Sequence, residues 1–543
     1  MKTTTNLPTE PSVSEQDQIQ QLNQRVDSLM QQNSTLAKQL AWYQEQIRLL
    51  QHKQFGKSSE KSVPVDPNQL TLDVEVFNEA ESLAQAKPGE PFFEEVTYTR
   101  KKSKGKRALQ LDAFPQETIE YHATDEERSC PCCNERMHVM STEVRRELKL
   151  IPQKLYVLNH VHYKYSCRPC EQNEVTTPVV KIQSPNPVLP KSFVSAELMA
   201  QIMCNKYVLG LPLYRQEKEF ERAGLVLSRQ TMANWMVAGA QTWLHLIYDR
   251  LHQRLSEQTI LHADETRIQV LHEPGRKAES NSTMWLYRSG REEANPIVLY
   301  DYQISRGQEH PKWFLQAFRG YLHVDGYPGY HDLKSVQLVG CWAHARRKFD
   351  EAVFSQPDEL KHLPSIAREG LQFCNQLFTI ERSCKDKTAE ERHATRQAKS
   401  KPLLEGFLSW LQQQEAKTLP KSALGKAITY CLNQWKKLNT FLEDGRLEID
   451  NNRGERSIKP FVIGRKNWLF SNTPKGANSS AIIYSIIETA KENGLIPYEY
   501  LRYLFEQMPN QKIDDQTTLD QMLPWSDQIQ SNCKLNNQVP ASK

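Results

Sequence analysis

Apolar side chains near the start of the chain recur with a heptad period. Positions a and d of five consecutive heptads hold Ile19, Val26, Asn33, Leu40 and Ile47, and Leu22, Leu29, Leu36, Tyr43 and Leu50. Such a stripe, two positions in seven, is narrower than the face of a single helix packed on its own protein. The pattern therefore favours a coiled coil over residues 15–60. Asn33, at an a position, predicts a parallel homodimer because its amide pairs with the same residue of the partner.

Short apolar runs in the middle of the chain predict the strands of one mixed sheet. They are residues 259–271, 284–287, 297–302, 320–325 and 335–341. Asp264 and Asp325 each fall where an apolar run gives way to polar residues, so we expect both carboxylates at strand ends. Taken alone, a strand-end aspartate is as often a plain turn residue.

Residues 190–255 are predicted to be helical and to contain a helix-turn-helix. Within Leu211–Met236 a first helix is followed by a turn at Gly224 and by a second helix capped by Ser228. If this pair binds DNA, the second helix can enter the major groove. The candidate base-reading side chains are then Arg229, Gln230 and Asn234. An ordinary helical hairpin explains the same pattern equally well.

After the predicted sheet comes a helical region of about a hundred residues. A charged segment follows that helical region. This segment, residues 447–470, is predicted to hold a short helix that begins near Arg453 and ends before Pro460. Its acids are Glu448, Asp450 and Glu455, and its candidate phosphate-binding cations are Arg456, Lys459, Arg465 and Lys466. Residues 481–491 read as a buried helix, and residues 509–543 as a polar tail.

Composition limits the function classes without choosing one. The chain has 543 residues and a net charge of only +4, which does not by itself argue for nucleic acid. No apolar run is long enough for a membrane span or a signal segment, so we expect no membrane contact and a cytoplasmic protein.

Residues 1–14 are expected to be disordered and residues 61–125 to form a linker. Within that linker the basic run 100–107 is either a phosphate-contacting arm or a solvated tether.

Four cysteines have the spacing of a zinc site. They form two C-x-x-C pairs, Cys130 with Cys133 and Cys167 with Cys170, which is the arrangement of thiolates around one tetrahedral ion. An alternating, strand-like run between the pairs predicts a zinc-binding ribbon over residues 126–175 with one structural Zn²⁺. Cys132 is a surplus thiol within the first pair.

Two aspartates on the sheet and one acid from the later helix would make a three-carboxylate site. Oxygen ligands suit Mg²⁺, and two such ions support in-line phosphoryl transfer to or from DNA. We therefore predict two Mg²⁺ per active site, with Mn²⁺ as a substitute. The residue pattern alone leaves Glu448, Asp450 and Glu455 open as the third acid.

Long motifs identify a resemblance to a known family. FGKSSEK, CPCC, CRPC, LPLYRQ, HADET, DGYPGY, CWAHARRKF, RLEIDNNRGERSIKP, GRKNWLF and NGLIPYEYL occur in this order. The chain thereby resembles the DDE transposases of the insertion sequence 66 family from about residue 36 to residue 508. The departures are Cys132 and Asn134 in the first cysteine pair, and Gly454 and Lys459 where alanine and arginine are common.

The resemblance implies a fold and a reaction. The fold would be multidomain, α/β and α, with a leucine-zipper region, a zinc ribbon, a helix-turn-helix region and a ribonuclease-H-like core. That core would comprise residues 256–345 and 446–508, interrupted by a mostly helical insertion, residues 346–445.

The family's acids fall on Asp264, Asp325 and Glu455. The implied activity is Mg²⁺-dependent cleavage and transfer of DNA strands at the ends of the element. The partners would be double-stranded end and target DNA and accessory proteins of the element, in a bacterial, nucleoid-associated setting.

Two other functions and one further motif stay open at this stage. A non-catalytic zinc and helix-turn-helix DNA-binding protein, or a Mg²⁺ nuclease without strand transfer, would carry many of the same features.

Cys341 and His344 have C-x-x-H spacing but supply only two ligands, so a packed segment beside the sheet is favoured over a metal site. Arg346 and Arg347, which follow, are candidate contacts to DNA phosphates.

Overall fold

The computed structural model describes residues 13–55, 184–357, 363–513 and 515–534, with scattered positions between 118 and 181. The chain divides into two compact units, residues 1–59 with 185–534, and residues 60–184 with 535–543. Disorder was expected over residues 1–14, but residues 13 and 14 are helical, and residues 1–12 lie outside the described part of the chain. The basic run 100–107 and the four predicted zinc ligands lie outside it as well. None of the helices in the described part combines the length and apolarity that a membrane span requires.

The smaller unit contains one described pair of strands, β1 (Lys164–Ser166) and β2 (Val179–Lys181), which are antiparallel. Of the strand-like run predicted over residues 156–165, only its last two residues are in a strand. The described residues 154–163 have no regular secondary structure.

The larger unit contains sixteen α-helices and five strands among the residues described. In chain order they are α1 (Val13–Phe55), α2 (Ala196–Tyr207), α3 (Leu213–Arg222), α4 (Arg229–Gly239), α5 (His245–Ser256), β3 (Ile260–Gln269), β4 (Asn281–Ser289), β5 (Val298–Gln303), α6 (Glu309–Phe314), β6 (Gly320–His323), β7 (Val336–Val339), α7 (Trp342–Phe354), α8 (Ile366–Ser383), α9 (Ala389–Thr395), α10 (Lys401–Glu415), α11 (Ala423–Asn439), α12 (Asn452–Trp468), α13 (Pro474–Glu492), α14 (Pro497–Gln507), α15 (Gln516–Gln521) and α16 (Asp527–Cys533).

The predicted mixed sheet is present, with strand order β5-β4-β3-β6-β7. β3, β4 and β5 pair antiparallel, whereas β6 pairs parallel with both β3 and β7. Asp325 lies two residues beyond β6, as predicted, but Asp264 lies in the middle of β3. The expectation of a strand end at Asp264 was wrong because antiparallel pairing with β4 extends β3 through the polar residues 265–269.

Helix α13 covers the edge of the sheet along β5. Two hydroxyl groups on this buried helix bond to the free backbone edge: Thr489 Oγ1 accepts from Val298 N at 3.0 Å, and Ser485 Oγ accepts from Tyr300 N at 2.8 Å. A sheet edge normally exposes unpaired backbone groups, and here a helix satisfies them. The helix ends at Asn493, where Gly494 adopts φ +72°.

The predicted helix-turn-helix segment forms two helices, α3 and α4. Gly224 lies in the turn between them with φ +86°, and Ser228 Oγ caps α4 by accepting from Thr231 N at 3.1 Å. Trp235 of α4 is buried in the core. A π-helical turn, Ala240–Leu244, joins α4 to α5.

The region between β7 and α12 is helical, as predicted, and shares an apolar core with Ile260 of β3 and Val339 of β7. Aromatic rings dominate that core: Phe407 stacks on Phe373 with ring centroids 4.8 Å apart and also contacts Trp342 and Phe349. Helices α7 and α11 connect this core to the sheet. At that junction the Gly340 N–H, just after β7, donates to Lys437 O at 2.8 Å. The insertion therefore packs beside the parallel half of the sheet.

Helix α1 presents two different faces. Its described a and d side chains are exposed; Leu36, for example, is 60% accessible. Near its C-terminus another face packs on the insertion, where Glu45 Oε1 accepts from Ala423 N at 2.8 Å and Arg48 Nη1 donates to Ser355 O at 3.1 Å. The alternative of a helix packed on its own protein thus applies to one face of α1, and the coiled coil stays a prediction for the exposed stripe.

Helix α12 does not stop before Pro460, and that expectation was wrong. Proline lacks an N–H and normally breaks a helix interior, yet α12 continues to Trp468 with Pro460 inside it. Ile458, Phe461 and Gly464 are buried on the inner face of the helix. Packing of that face against the sheet offsets the lost hydrogen bond.

Residues 515–534 are not a loose polar tail, which corrects the sequence expectation. They form α15 and α16 and bury four side chains in the main core: Met522, Leu523, Ile529 and Cys533. Asp520 makes a bidentate ion pair with Arg250 of α5, with both N–O distances 2.7 Å. Arg254 also donates to Asp520, at 2.8 Å.

We expect Asp520→Ala to lower the free energy of unfolding by about 2 kcal/mol, because the nearly buried Arg250 loses its partner. Urea denaturation of the full chain measures the change, with the exposed Asp527→Ala as a control that should cost under about 1 kcal/mol. Hydrogen bonds from Arg250 lower the pKa of Asp520. The difference from wild type should therefore shrink as the pH falls through that lowered value. Equal effects of the two substitutions would contradict the assignment.

Candidate active site

The parallel register of β3 and β6 brings two aspartates together. His262 of β3 pairs with His323 of β6, and the two buried rings stack with centroids 4.2 Å apart. Side chains alternate along a strand, so Asp264 and Asp325, each two residues further on, lie on the same side as the histidines. The repeated H-x-D spacing of the sequence thus corresponds to neighbouring carboxylates.

Glu455, a candidate for the third acid, lies in the first turn of α12, which packs against β3 and β4. Buried Asn451, just before this helix, fixes its start. The Asn451 side chain donates from Nδ2 to Ala263 O at 2.8 Å and accepts at Oδ1 from His262 Nδ1 at 2.9 Å. These two bonds join the beginning of α12 to the residues immediately before Asp264. Glu455 consequently faces the aspartates.

Glu448 and Asp450, the other candidate acids, have structural partners. Glu448 Oε2 lies 2.9 Å from His262 Nε2 and accepts from Arg453 Nε at 3.0 Å. Although burial alone would raise the pKa of Glu448, His262 and Arg453 hold it well below its usual range. Asp450 accepts from the backbone and side chain of Asn452, at 3.0 and 2.8 Å. Both carboxylates therefore have hydrogen-bond partners within their own segment, whereas Glu455 Oε1 has no hydrogen bond.

The carboxylates of the site repel one another. Burial raises the pKa of Asp264 to about 8, and the charges of Glu265, Asp325 and Glu455 contribute to the rise. The Glu265 N–H donates to Asp264 Oδ1 at 2.8 Å and opposes this shift. Asp325 Oδ1 accepts from Tyr327 N at 2.7 Å. Several half-buried oxygens with too little compensating charge are suitable ligands for a hard divalent cation.

Glu265 is a fourth acid of the site that the sequence analysis did not single out. Burial, and then the charge of Asp325, raises its pKa. Tyr330 Oη donates to Glu265 Oε2 at 2.6 Å, and the Arg306 guanidinium pairs with the other oxygen. In the sequence, the one indication of this role was that Glu265 directly follows Asp264. Consecutive side chains of a strand point to opposite faces, so the pattern placed Glu265 on the face away from Asp264.

Cys341 and His344 belong to this site as well as to the packing beside the sheet. Cys341 is fully buried, and its Sγ accepts from Asn451 N at 3.2 Å. Burial raises the pKa of the Cys341 thiol to about 12. His344 Nδ1 lies 3.7 Å from Glu455 Oε1. Burial lowers the pKa of His344, and the charge of Glu455 opposes that change.

The predicted DNA-contacting residues lie on three helices. Arg229, Gln230 and Asn234 are exposed on α4, where Gln230 Nε2 donates to Asn234 Oδ1 at 3.0 Å. On α12 the exposed cations are Arg456, Lys459 and Lys466, whereas Arg465 is half-buried with Nη1 3.5 Å from Thr266 Oγ1. On α7, Arg347 is exposed and Arg346 is half-buried, donating to Asn375 Oδ1 at 2.8 Å.

Family models match most of the chain. Residues 191–479 match the transposase IS66 family, and residues 127–171 match the zinc-finger binding domain of transposase IS66. Residues 485–525 match the IS66 C-terminal element, and residues 42–119 match the model described as transposase C of IS166 homeodomain. The matches cover the sheet, the insertion and α12 within one family model.

Relatives in Sinorhizobium fredii (strain NBRC 101917 / NGR234) are similar over much of their length. Uncharacterized protein y4jD is 30% identical over 524 residues, which cover 92% of this chain and 98% of that protein. Uncharacterized protein y4hP is 30% identical over 415 residues, 73% of each chain. Uncharacterized protein y4qI is 29% identical over 470 residues, 84% of this chain and 83% of its own.

We expect Asn451→Ala to destabilise the protein by about 1–3 kcal/mol, because the buried Ala263 carbonyl and His262 ring each lose a partner. Asn452→Ala is the matched control: its side chain bonds only locally to Asp450, so the cost should stay below about 1 kcal/mol. Urea denaturation monitored by tryptophan fluorescence measures both. If the two variants are equally stable, Asn451 does not hold α12 against β3.

Proposed function

This chain belongs to the IS66 transposase family, and we propose that it binds the ends of its insertion sequence and catalyses Mg²⁺-dependent cleavage and transfer of the DNA strands. One observation carries the catalytic part. The paired strands β3 and β6, with α12 tied to β3 by Asn451, bring Asp264, Asp325 and Glu455 to one place. The same arrangement supports a ribonuclease-H-like core, with residues 346–445 as the inserted helical region.

The three acids have distinct positions around the proposed metal site. The charges of both Asp325 and Glu455 act on the pKa of Asp264, so the three carboxylates are close enough to share one metal site. Asp264, Asp325 and Glu455 would together hold the two Mg²⁺ ions. Bound Mg²⁺ supplies activation of a water or 3′-hydroxyl and stabilisation of the leaving oxygen. The protein's part is to hold the carboxylates in place on rigid strands and on a packed helix.

Exposed cations beside the acids support DNA as the substrate. Arg456 and Lys459 lie on α12 one turn or less from Glu455, and their exposed side chains bind phosphate oxygens in this proposal. Arg347 on α7 and Lys466 further along α12 extend the same role. Arg229, Gln230 and Asn234 on α4 would read base edges. Arg346 and Arg465 are half-buried with side-chain contacts of their own, so we assign them a smaller role.

The zinc-finger match supports one structural Zn²⁺. We propose Cys130, Cys133, Cys167 and Cys170 as its ligands, because two C-x-x-C pairs provide four thiolates for a tetrahedral ion. Cys132, a free and exposed cysteine, is not assigned to the ion.

We expect Asp264→Asn, Asp325→Asn and Glu455→Gln each to slow end cleavage by roughly a hundredfold or more while DNA affinity in chelator is retained. Affinity for the duplex comes from phosphate contacts and counterion release, to which the carboxylates do not contribute. Labelled end DNA incubated with the full chain and Mg²⁺ separates cleaved from joined products, and a gel shift in chelator measures binding.

Asp450→Asn is the matched control for the third acid, because Asp450 is close in sequence but bonded to Asn452. If the Asp450→Asn variant does not cleave end DNA while the Glu455→Gln variant does, the third acid is misassigned. Binding without cleavage by the wild type would favour the non-catalytic DNA-binding alternative. Nicking without joined products would favour a nuclease.

We also propose that the exposed a and d stripe of α1 forms a parallel coiled coil with a second copy. Leu36→Glu places a charge in that stripe and should give a monomer, whereas Ser34→Glu, at the outward b position, should not. Asn33→Val should strengthen association but relax the choice of oligomer. Sedimentation velocity on the full chain measures all three, and a wild-type monomer would contradict the proposal.

A further inference from the structure

Cys341, His344 and Glu455 form a compact set of metal ligands at the edge of the acid site. Among the described residues, they are the one group of three or more His, Cys, Asp or Glu side chains whose ligand atoms all lie within 4.8 Å of one another. The C-x-x-H segment lacked a third ligand in the sequence. α12 supplies it, although 111 positions separate His344 from Glu455 (455 − 344).

The spacing within the set suits a coordinated ion better than a hydrogen bond. His344 Nδ1 and Glu455 Oε1 are 3.7 Å apart, and neither buried atom has a hydrogen-bond partner. That separation is too long for a hydrogen bond. Two ligands of a tetrahedral zinc, each about 2.0–2.2 Å from the ion, would lie roughly 3.3–3.6 Å apart.

The donor types select the metal. A thiolate and an imidazole suit Zn²⁺, whereas Mg²⁺ takes oxygen ligands. The Asn451 N–H donates to Cys341 Sγ at 3.2 Å, and hydrogen bonds of this kind orient a ligand atom. Three protein ligands with one open position are a common zinc arrangement.

We propose that Cys341, His344 and Glu455 bind Zn²⁺, and that this binding removes Glu455 from the magnesium site. The two metals then compete, because both draw on the Glu455 carboxylate. Zinc therefore inhibits strand cleavage by occupying this site. The binding step stands on the ligand cluster alone, and the inhibition step rests on the function proposed above.

The first test counts zinc in the full chain. After loading with Zn²⁺ and removal of free metal, we expect wild type to retain one more zinc per chain than Cys341→Ala or His344→Gln. The second substitution covers the case in which Cys341→Ala does not fold. Cys204→Ala, which changes a buried thiol on α2, is the matched control and should retain the wild-type number. Equal zinc in all four proteins overturns the proposal.

The second test measures end cleavage in Mg²⁺ with increasing Zn²⁺, each protein compared with its own zinc-free rate. Loss of one zinc ligand should raise the inhibitory zinc concentration at least about tenfold for Cys341→Ala relative to wild type and Cys204→Ala. Identical inhibition curves overturn the inhibitory role. If no protein cleaves DNA, the proposed function fails, while the zinc count still decides the metal site.

Discussion

The buried amide of Asn451 is the contact on which the candidate site depends. It bonds simultaneously to the backbone of β3 and to His262, while its own N–H donates to Cys341, the residue just before α7. Three parts of the chain therefore meet at one residue: the sheet, the segment that leads into α7, and α12. An asparagine side chain can do this because it offers donors and an acceptor that are both satisfied here.

The same junction explains why neighbouring acids differ in role. Glu448 is held by His262 and Arg453, so its charge is neutralised within the fold. Glu455 lies in the first turn of α12, where its Oε1 is 3.7 Å from His344 Nδ1 and has no hydrogen bond. Burial, and then repulsion by Glu265, Asp325 and Glu455, raises the pKa of Asp264. A cation relieves that repulsion, so the acids favour metal binding at some cost to the stability of the metal-free fold.

Features that depend on local pattern were predictable from the sequence, and features that depend on distant partners were not. The five strands, the capped helix at Ser228 and the position of Asp325 follow from apolar runs and turn residues. The position of Asp264 inside β3 did not, because β4 supplies the pairing for the residues after Asp264. Pro460 inside α12 and the burial of Met522 and Leu523 likewise depend on packing against elements far away in the sequence. The third acid could be chosen from motif resemblance, whereas its partner His344 became evident only in three dimensions.

The hydrogen bond between Asn451 and Ala263 closes a loop of 188 positions. Each doubling of loop length adds only about 0.6 kcal/mol of closure entropy, so equilibrium stability tolerates such an insertion well. The rate of folding is more sensitive, because long-range contacts form late. The inserted helices share their apolar core with Ile260 of β3 and Val339 of β7, so that core is completed only when the helices pack on the sheet. Assembly of the acid group is thus a late event that depends on the inserted helices, and a defect far from any carboxylate can leave the sheet folded and the site incomplete.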